Sequence, residues 1–259
     1  MSSFTNSRAV LSIRLAGPLR EIKSSDLVLC DTGRIGKRQE SREKVEAQIV
    51  EFGRRHLVIE GAAGLSLRAI ARDLGMVSSA VYRYVASRDD LLTLLLVDAY
   101  SELADAVDRA AAAGGPWRDQ LLAMANAVRA WAVDQPARWA LLYGSPVPGY
   151  HAPRERTVGP GTRVVGALFD TIGAGIAAGD IPQANAAAAQ PLSSDFDRLR
   201  EEFQFAGDDS AVAKCFVLWA GLVGAISLEV FGQYGADTLT EPAAVFDTQV
   251  RLLIDVLTA

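Results

Sequence analysis

Residues 64–96 read GLSLRAIARDLGMVSSAVYRYVASRDDLLTLLL, and the order of caps, apolar positions and stops in this stretch decides the fold. Ser66 stands where a side-chain oxygen can accept a free backbone N–H. Leu67, Ile70, Ala71 and Leu74 follow at helical spacing, and Gly75 ends the run. A second short helix is predicted over Ser78–Val85. Ser87-Arg88-Asp89-Asp90 then has the form of a capping box with Asp in place of Glu. It opens a long helix whose Leu92, Leu96, Tyr100, Leu103 and Val107 recur at intervals of 4, 4, 3 and 4. Upstream, Val45, Ile49, Phe52, His56 and Leu57 share one helical face, with Gly61 as its stop. Two short helices joined by Gly75-Met76-Val77, between two apolar helices, make a helix-turn-helix within a three-helix core.

The same period continues outward. Helices are expected near 117–134, 137–143, 160–178, 210–234 and 242–258, with Pro136 in a first turn where its missing N–H costs nothing. Two segments read as loops: 144–161, with four of the ten prolines, and 190–209, which is polar and acidic. No stretch alternates with period 2 and no repeat is visible, so the fold class is all-α. Residues 1–38 show no sustained period and are expected as a loosely ordered extension. Residues 39–88 are then the helix-turn-helix domain and 89–259 a helical ligand-binding and dimerisation domain.

Composition limits the function classes. The 259 residues carry 26 Lys+Arg and 31 Asp+Glu, a net charge of −5, which by itself suggests no polyanion partner. The distribution says more: 15 basic and 9 acidic residues in 1–88 give +6, and 11 and 22 in 89–259 give −11. A basic head on an acidic body fits a head that meets phosphate. Two cysteines and two histidines exclude a disulfide framework and make a Cys- or His-built metal centre unsupported. Arg14 interrupts the short apolar stretch near the N-terminus, so no secretory signal is read there. The most hydrophobic stretch, Cys215–Leu228, is too short to cross a bilayer core of roughly 30 Å and reads as a buried helix. The expected location is the cytoplasm, without a membrane partner.

A helix-turn-helix places its second helix in the major groove of DNA while its neighbours hold phosphates. Arg68 and Arg72 lie one turn apart on the outer face of the first short helix. Ser78, Ser79, Tyr82, Arg83 and Tyr84 offer hydroxyls and a guanidinium on the second. Arg88 lies at a helix N-terminus, where a cation and backbone N–H groups can share one phosphate. Tyr82 and Tyr84, two residues apart, cannot both face the core, and Tyr82 is the one expected outward.

Gly64–Leu96, through its Leu-Arg-x-Ile-Ala…Leu-Gly and Tyr-x-Tyr blocks, resembles the DNA-binding domain of the TetR-like (TetR/AcrR) transcriptional regulators, in detail over about 41–110. The resemblance implies DNA contact by Arg68, Ser78, Ser79 and Tyr82, and phosphate contact by Tyr84 and Arg88. Val77 stands where the family usually has a Ser or Thr cap, so Ser78 is expected to cap instead. Trp117, Trp131, the Ala140–Pro146 segment and Trp219-Ala-Gly-Leu-Val-Gly are similar to a subgroup with a Trp-x-x-Leu-His-Gly signature in the effector domain; Val223 takes the histidine's place here. A dimeric four-helix bundle from the last two long helices is implied, and Gly221-x-x-Gly224 is read as a seam between subunits.

Trp131, Trp139, Tyr143, Phe169 and Trp219 are candidates to line a small-molecule pocket. His56, among apolar neighbours, reads as a packed, hydrogen-bonded histidine. No nucleophile elbow, P-loop, HExxH or glycine fingerprint is present, so no catalytic residue, metal or cofactor is assigned. The expected function is a sequence-specific, homodimeric DNA-binding regulator, a repressor released by a small-molecule effector from a pseudo-palindromic operator. The alternative is a helical dimeric ligand-binding protein whose head does not bind DNA. A helical enzyme acting through 144–161 ranks last.

Overall fold

The computed structural model describes residues 32–184 and 187–259, for 32–38 the backbone alone, and every regular element among them is a helix. The helix-turn-helix part comprises α1 (Thr32–Gly64), α2 (Leu67–Asp73) and α3 (Ser78–Val81). The remainder comprises α4 (Arg88–Ala111), α5 (Trp117–Asp134), α6 (Pro136–Tyr143), α7 (Arg154–Ala177), α8 (Leu192–Phe203), α9 (Asp209–Val230) and α10 (Pro242–Thr258). Helical backbone begins at Thr32, inside the expected extension 1–38. Its earlier residues lie outside those described.

The punctuation acts as the residues dictate. Gly61 takes φ +67°, breaking α1 before its last turn. Ser66 Oγ accepts from the Ala69 N–H at 3.4 Å and caps α2. Gly75 takes φ +67°, the left-handed turn that sends the chain into α3. α3 proper is one turn, carried on by bonds from the Tyr84 N–H to Val81 O at 2.9 Å and the Val85 N–H to Val81 O at 3.1 Å. Ser87 Oγ accepts from the Asp90 N–H at 3.0 Å and donates to Asp90 Oδ2 at 2.9 Å. That cap starts α4 where the sequence places it.

Two apolar cores result. Ile49 and Leu57 of α1, Ile70 of α2, Val81 of α3 and Leu91 and Leu95 of α4 form the smaller. The larger is built from α4 beyond Ala99, α5, α6, α7, α9 and α10, around Trp139, Leu121, Ile172 and Phe246. α4 therefore belongs to both, its first two turns in the head core and the rest in the body core.

Two loop expectations are overturned. Residues 190–209 contain α8, because Leu192, Phe196, Leu199 and Phe203 recur at intervals of 4, 3 and 4 among the carboxylates, and Phe196 is buried. Residues 154–161 are the first turns of α7, which runs through Pro160. That proline is the seventh residue of α7, past the first turn, so the helix forgoes the bond that an N–H there would make to Arg156 O. α9 is 22 residues long, longer than its most apolar run because Asp208 caps it from the Ala211 N–H at 2.9 Å. By length and composition it could cross a membrane; here it packs on α5 and α10 with Cys215, Leu218, Leu222 and Ile226 buried.

Candidate nucleic-acid interface and effector cavity

Leu67, Ile70 and Ala71 turn one face of α2 into the core, which leaves Arg68 and Arg72 on the other, both exposed. Val81 and Val85 anchor α3 in the same way, so Ser79, Tyr82 and Arg83 are exposed and Ser78 is half-buried. The N-cap of α3 is Val77, without a side-chain bond, and Ser78 is its first residue. Ser78 therefore does not cap the helix, contrary to expectation; Val77 already occupies that position with extended backbone. Among the described residues, the side chains of Arg68, Ser78, Ser79, Tyr82 and Arg83 carry no hydrogen bond or ion pair. Arg72 lies 3.7 Å from its neighbour Asp73, and Asp73 in turn lies 2.6 Å from His56 Nε2, which joins α2 to α1.

Tyr84 and Arg88 sit differently. The Tyr84 ring packs partly buried against the head core. Arg88 Nη2 donates to the carbonyls of Ala62 and Ala63, both at 2.9 Å, closing the broken end of α1 onto the start of α4. Its guanidinium thus already serves carbonyl acceptors.

A cluster that sequence reading missed lies where the two cores meet. Arg54 of α1 grips Asp98 of α4 with two bonds, Nε to Oδ2 at 2.8 Å and Nη2 to Oδ1 at 2.6 Å, and reaches Glu102 at 3.2 Å. The Asp98 bond pushes the Arg54 guanidinium above its ordinary pKa. Arg138 of α6, 3% exposed, joins Asp98 at 3.0 Å and Glu102 at 2.9 Å, while its Nε has no partner. The available signal was the spacing of Asp98 and Glu102, four apart and following Leu91, Leu94 and Leu95 on the same side of α4.

The five aromatic pocket candidates divide. Trp139 is fully buried, with Nε1 donating to Ser227 Oγ at 3.1 Å, and Trp131 Nε1 donates to Glu102 at 3.1 Å. Tyr143 packs between Trp139 and Trp219, ring centroids 4.4 and 5.9 Å away, and burial pushes its phenol pKa up. Phe169 and Trp219 do line a cavity, of about 280 Å³, together with Val165 of α7, Leu199 and Phe203 of α8, and Cys215 of α9. Burial pushes the Cys215 thiol up to about 12. Exposed Glu202 and Phe216 stand at its mouth. Gly221 proves to be a contact within the chain: a Cβ there would lie 2.8 Å from Leu253 of α10, whereas Gly224 faces open space.

The family described as "Tetracyclin repressor-like, C-terminal domain" matches residues 121–253. The HTH-type transcriptional regulator Rv1816 of Mycobacterium tuberculosis is 68% identical over 231 residues, 88% of this chain and 99% of that one. This chain belongs to the TetR family. The crystal structure of SCO4313, a protein assigned a regulatory role, superposes with a TM-score of 0.69 at 32% identity, covering 84% of this chain and 98% of that one. Bacillus subtilis FadR, solved with stearoyl-CoA, shares the fold at 11% identity, with a TM-score of 0.60 over 80% of this chain and 97% of its own. TetR regulators bind DNA and small-molecule effectors and act as dimers; they are not enzymes. The protein is a DNA-binding transcriptional regulator.

Proposed function

We propose that this TetR regulator acts in the cytoplasm as a homodimeric repressor, reading a pseudo-palindromic operator with residues of 39–88 and releasing it when 89–259 binds an effector. The observation that carries the DNA reading is the row of polar side chains on α2 and α3 that nothing in the protein engages: Arg68, Ser78, Ser79, Tyr82 and Arg83. Exposed polar groups are ordinarily satisfied by water, so what fits DNA is the placement of these five on one supersecondary unit, a guanidinium on α2 and hydroxyls with a second guanidinium along α3, the mixture that holds phosphates and reads base edges. Tyr84 and Arg88 act at phosphates from the margin, Arg88 through the nitrogen atoms its carbonyl bonds leave open. Val223 replaces the histidine of the Trp-x-x-Leu-His-Gly subgroup, to which we assign the C-terminal domain, and packs half-buried beside the body core.

Dimerisation through α9 and α10 is supported by the apolar side chains these helices leave in water, Val217 and Leu228 at 50% and 44% exposure and Leu252 and Val256 at 60% and 44%. The effector site is the cavity beneath α8; FadR supplies only the precedent of a ligand in a body of this fold. The test is fluorescence anisotropy on palindromic sites upstream of the protein's own gene. Affinity falls steeply with salt, and Arg68→Ala and Arg83→Ala each weaken binding and lower the salt slope by about 1. Absence of any sequence preference at every salt concentration, with the dimer intact, refutes the reading in favour of a ligand-binding dimer whose head does not bind DNA.

A further inference from the structure

We infer that the cavity under α8 selects a small cationic amphiphile, one aromatic ring or short hydrocarbon chain carrying an amine, with Glu202 as the residue that chooses the charge. The inference rests on the reading of this cavity as the effector site and adds the chemical class. At about 280 Å³ the cavity lies just below the roughly 300–1,000 Å³ of small-molecule sites, which limits the ligand to about one ring and a short chain. Its walls are apolar and aromatic, with Phe169 stacked on Phe203 at 4.8 Å between ring centroids.

Its polar groups are few, and all but one are spoken for. Thr162 Oγ1 already donates to Val158 O at 2.9 Å. The Cys215 thiol is held neutral by burial. Glu202 remains, exposed at the mouth, and among the described residues it has no hydrogen bond or ion pair.

The surrounding cations cannot serve an anionic ligand. Arg163, next to Thr162, is taken by Asp105 and Asp108. Arg198 is paired with Asp195, and Arg200 with Asp197 and Asp209. Lys214, next to Cys215, donates to the backbone oxygens of Leu257 and Ala259 at 3.1 and 3.0 Å. A carboxylate or phosphate entering here would meet Glu202 and find no free partner. An ammonium meets Glu202 and the faces of Trp219 and Phe203, which attract cations. The net −11 of residues 89–259 adds a favourable long-range field.

The experiment titrates full-length dimer with 4-phenylbutylamine, 4-phenylbutan-1-ol and 4-phenylbutyrate, which share ring and chain and differ in head charge. Binding is followed by calorimetry and by quenching of tryptophan fluorescence. The amine is expected to bind at least 10-fold more tightly than the alcohol, and the carboxylate more weakly than either. Glu202→Gln is expected to remove the preference for the amine while leaving the alcohol's affinity within twofold. Glu201→Gln, the same charge change at the neighbouring residue, which lines no part of the cavity, is expected to keep the preference. Equal or tighter binding of the alcohol or the carboxylate overturns the cationic class and leaves the cavity as the site. An amine preference that survives Glu202→Gln overturns the role of Glu202. Failure of all three compounds to bind a folded, operator-binding dimer at millimolar concentration overturns both this inference and the cavity as the effector site.

Discussion

Replacing Arg138 by Met tests whether the ion cluster between the two cores is the joint of the molecule. Methionine keeps most of the volume and removes the charge. The wild-type guanidinium is 3% exposed and bonded to Asp98 at 3.0 Å and Glu102 at 2.9 Å. Breaking a buried pair from one side costs about 3–5 kcal/mol, because the partner is left uncompensated. Here the cost is smaller, since both carboxylates keep Arg54 and the Asp98 and Glu102 side chains are 23% and 39% exposed. The unpartnered Nε also disappears in the variant. About 2–3 kcal/mol is the expected loss, which for a domain of this size lowers Tm by about 4–12 °C. Arg54→Met, whose guanidinium is more exposed, costs about 1 kcal/mol. The double variant leaves two facing carboxylates without a cation, so its loss should exceed the sum of the single losses by about 1 kcal/mol or more. Urea unfolding and thermal melts followed by circular dichroism measure all three. An Arg138→Met protein that melts within a degree of wild type, or a strictly additive double variant, would falsify the assignment of the cluster as a stabilising joint.

Three further outcomes are expected. Gly75→Ala places a Cβ where no atom lies within 4 Å, so its cost is the left-handed backbone alone, about 1 kcal/mol by urea unfolding; a loss beyond 3 kcal/mol would show a packing role instead. Leu252→Glu puts a charge on the apolar face of α10 and should weaken the dimer roughly 30-fold in sedimentation equilibrium without lowering helix content; unchanged association would place the dimer contact elsewhere. In a Cys30→Ser background, Cys215 at pH 8 should react with iodoacetamide about a thousandfold more slowly in the native protein than in urea, since native thiolate is scarce when the pKa is about 12. The sign for stability follows: above pH 8.5 the unfolded thiol ionises while the native one stays protonated, so this group's stabilisation is lost as pH rises, and a melting point that climbs between pH 8 and 10 contradicts it.

The head was legible because its signals are local. Ser66, Gly75 and Ser87 each act on the backbone within three residues, and the structure uses each of them as a cap or turn. Ser78 was misread for a related reason: position, not chemistry, makes a cap, and Val77 holds that position with φ −67° and ψ 139°. α8 was hidden because its stripe of four apolar residues is spread among Asp195, Asp197, Glu201 and Glu202, so average polarity masked the period. The aromatic candidates split for a reason no spacing carries. Trp131 and Trp139 found polar partners in Glu102 and Ser227, on helices distant in sequence, and became structural. Among the described residues Trp219 makes no such bond and Phe169 has no polar atom to make one; both stand at the cavity wall.

The contacts that remain bear on how a filled cavity reaches the head. The cavity has one wall on α7, and α7 packs on α4 and pairs with it through Arg156 and Arg163. Arg156 reaches Asp90 at 3.5 Å in the first turn of α4, where that helix still belongs to the head core. Just before α7, Tyr150 shares a hydrogen bond of 3.0 Å with Thr93. Arg163, adjacent to the cavity residue Thr162, holds Asp105 and Asp108. With α7 pinned to α4 on both sides of the core boundary, a shift of α7 that makes room for ligand must carry α4 with it or break these pairs. α4 in turn holds α1 through Arg54 and Asp98. Exposed pairs of this kind contribute little to stability, about 0–1 kcal/mol each, so what they fix is direction. Removing Arg163 and Arg156 together should therefore leave Tm nearly unchanged and ligand affinity intact, while the loss of operator affinity on ligand binding shrinks. Full retention of that response in Arg156→Ala/Arg163→Ala would assign the transmission to the apolar α4–α7 packing alone.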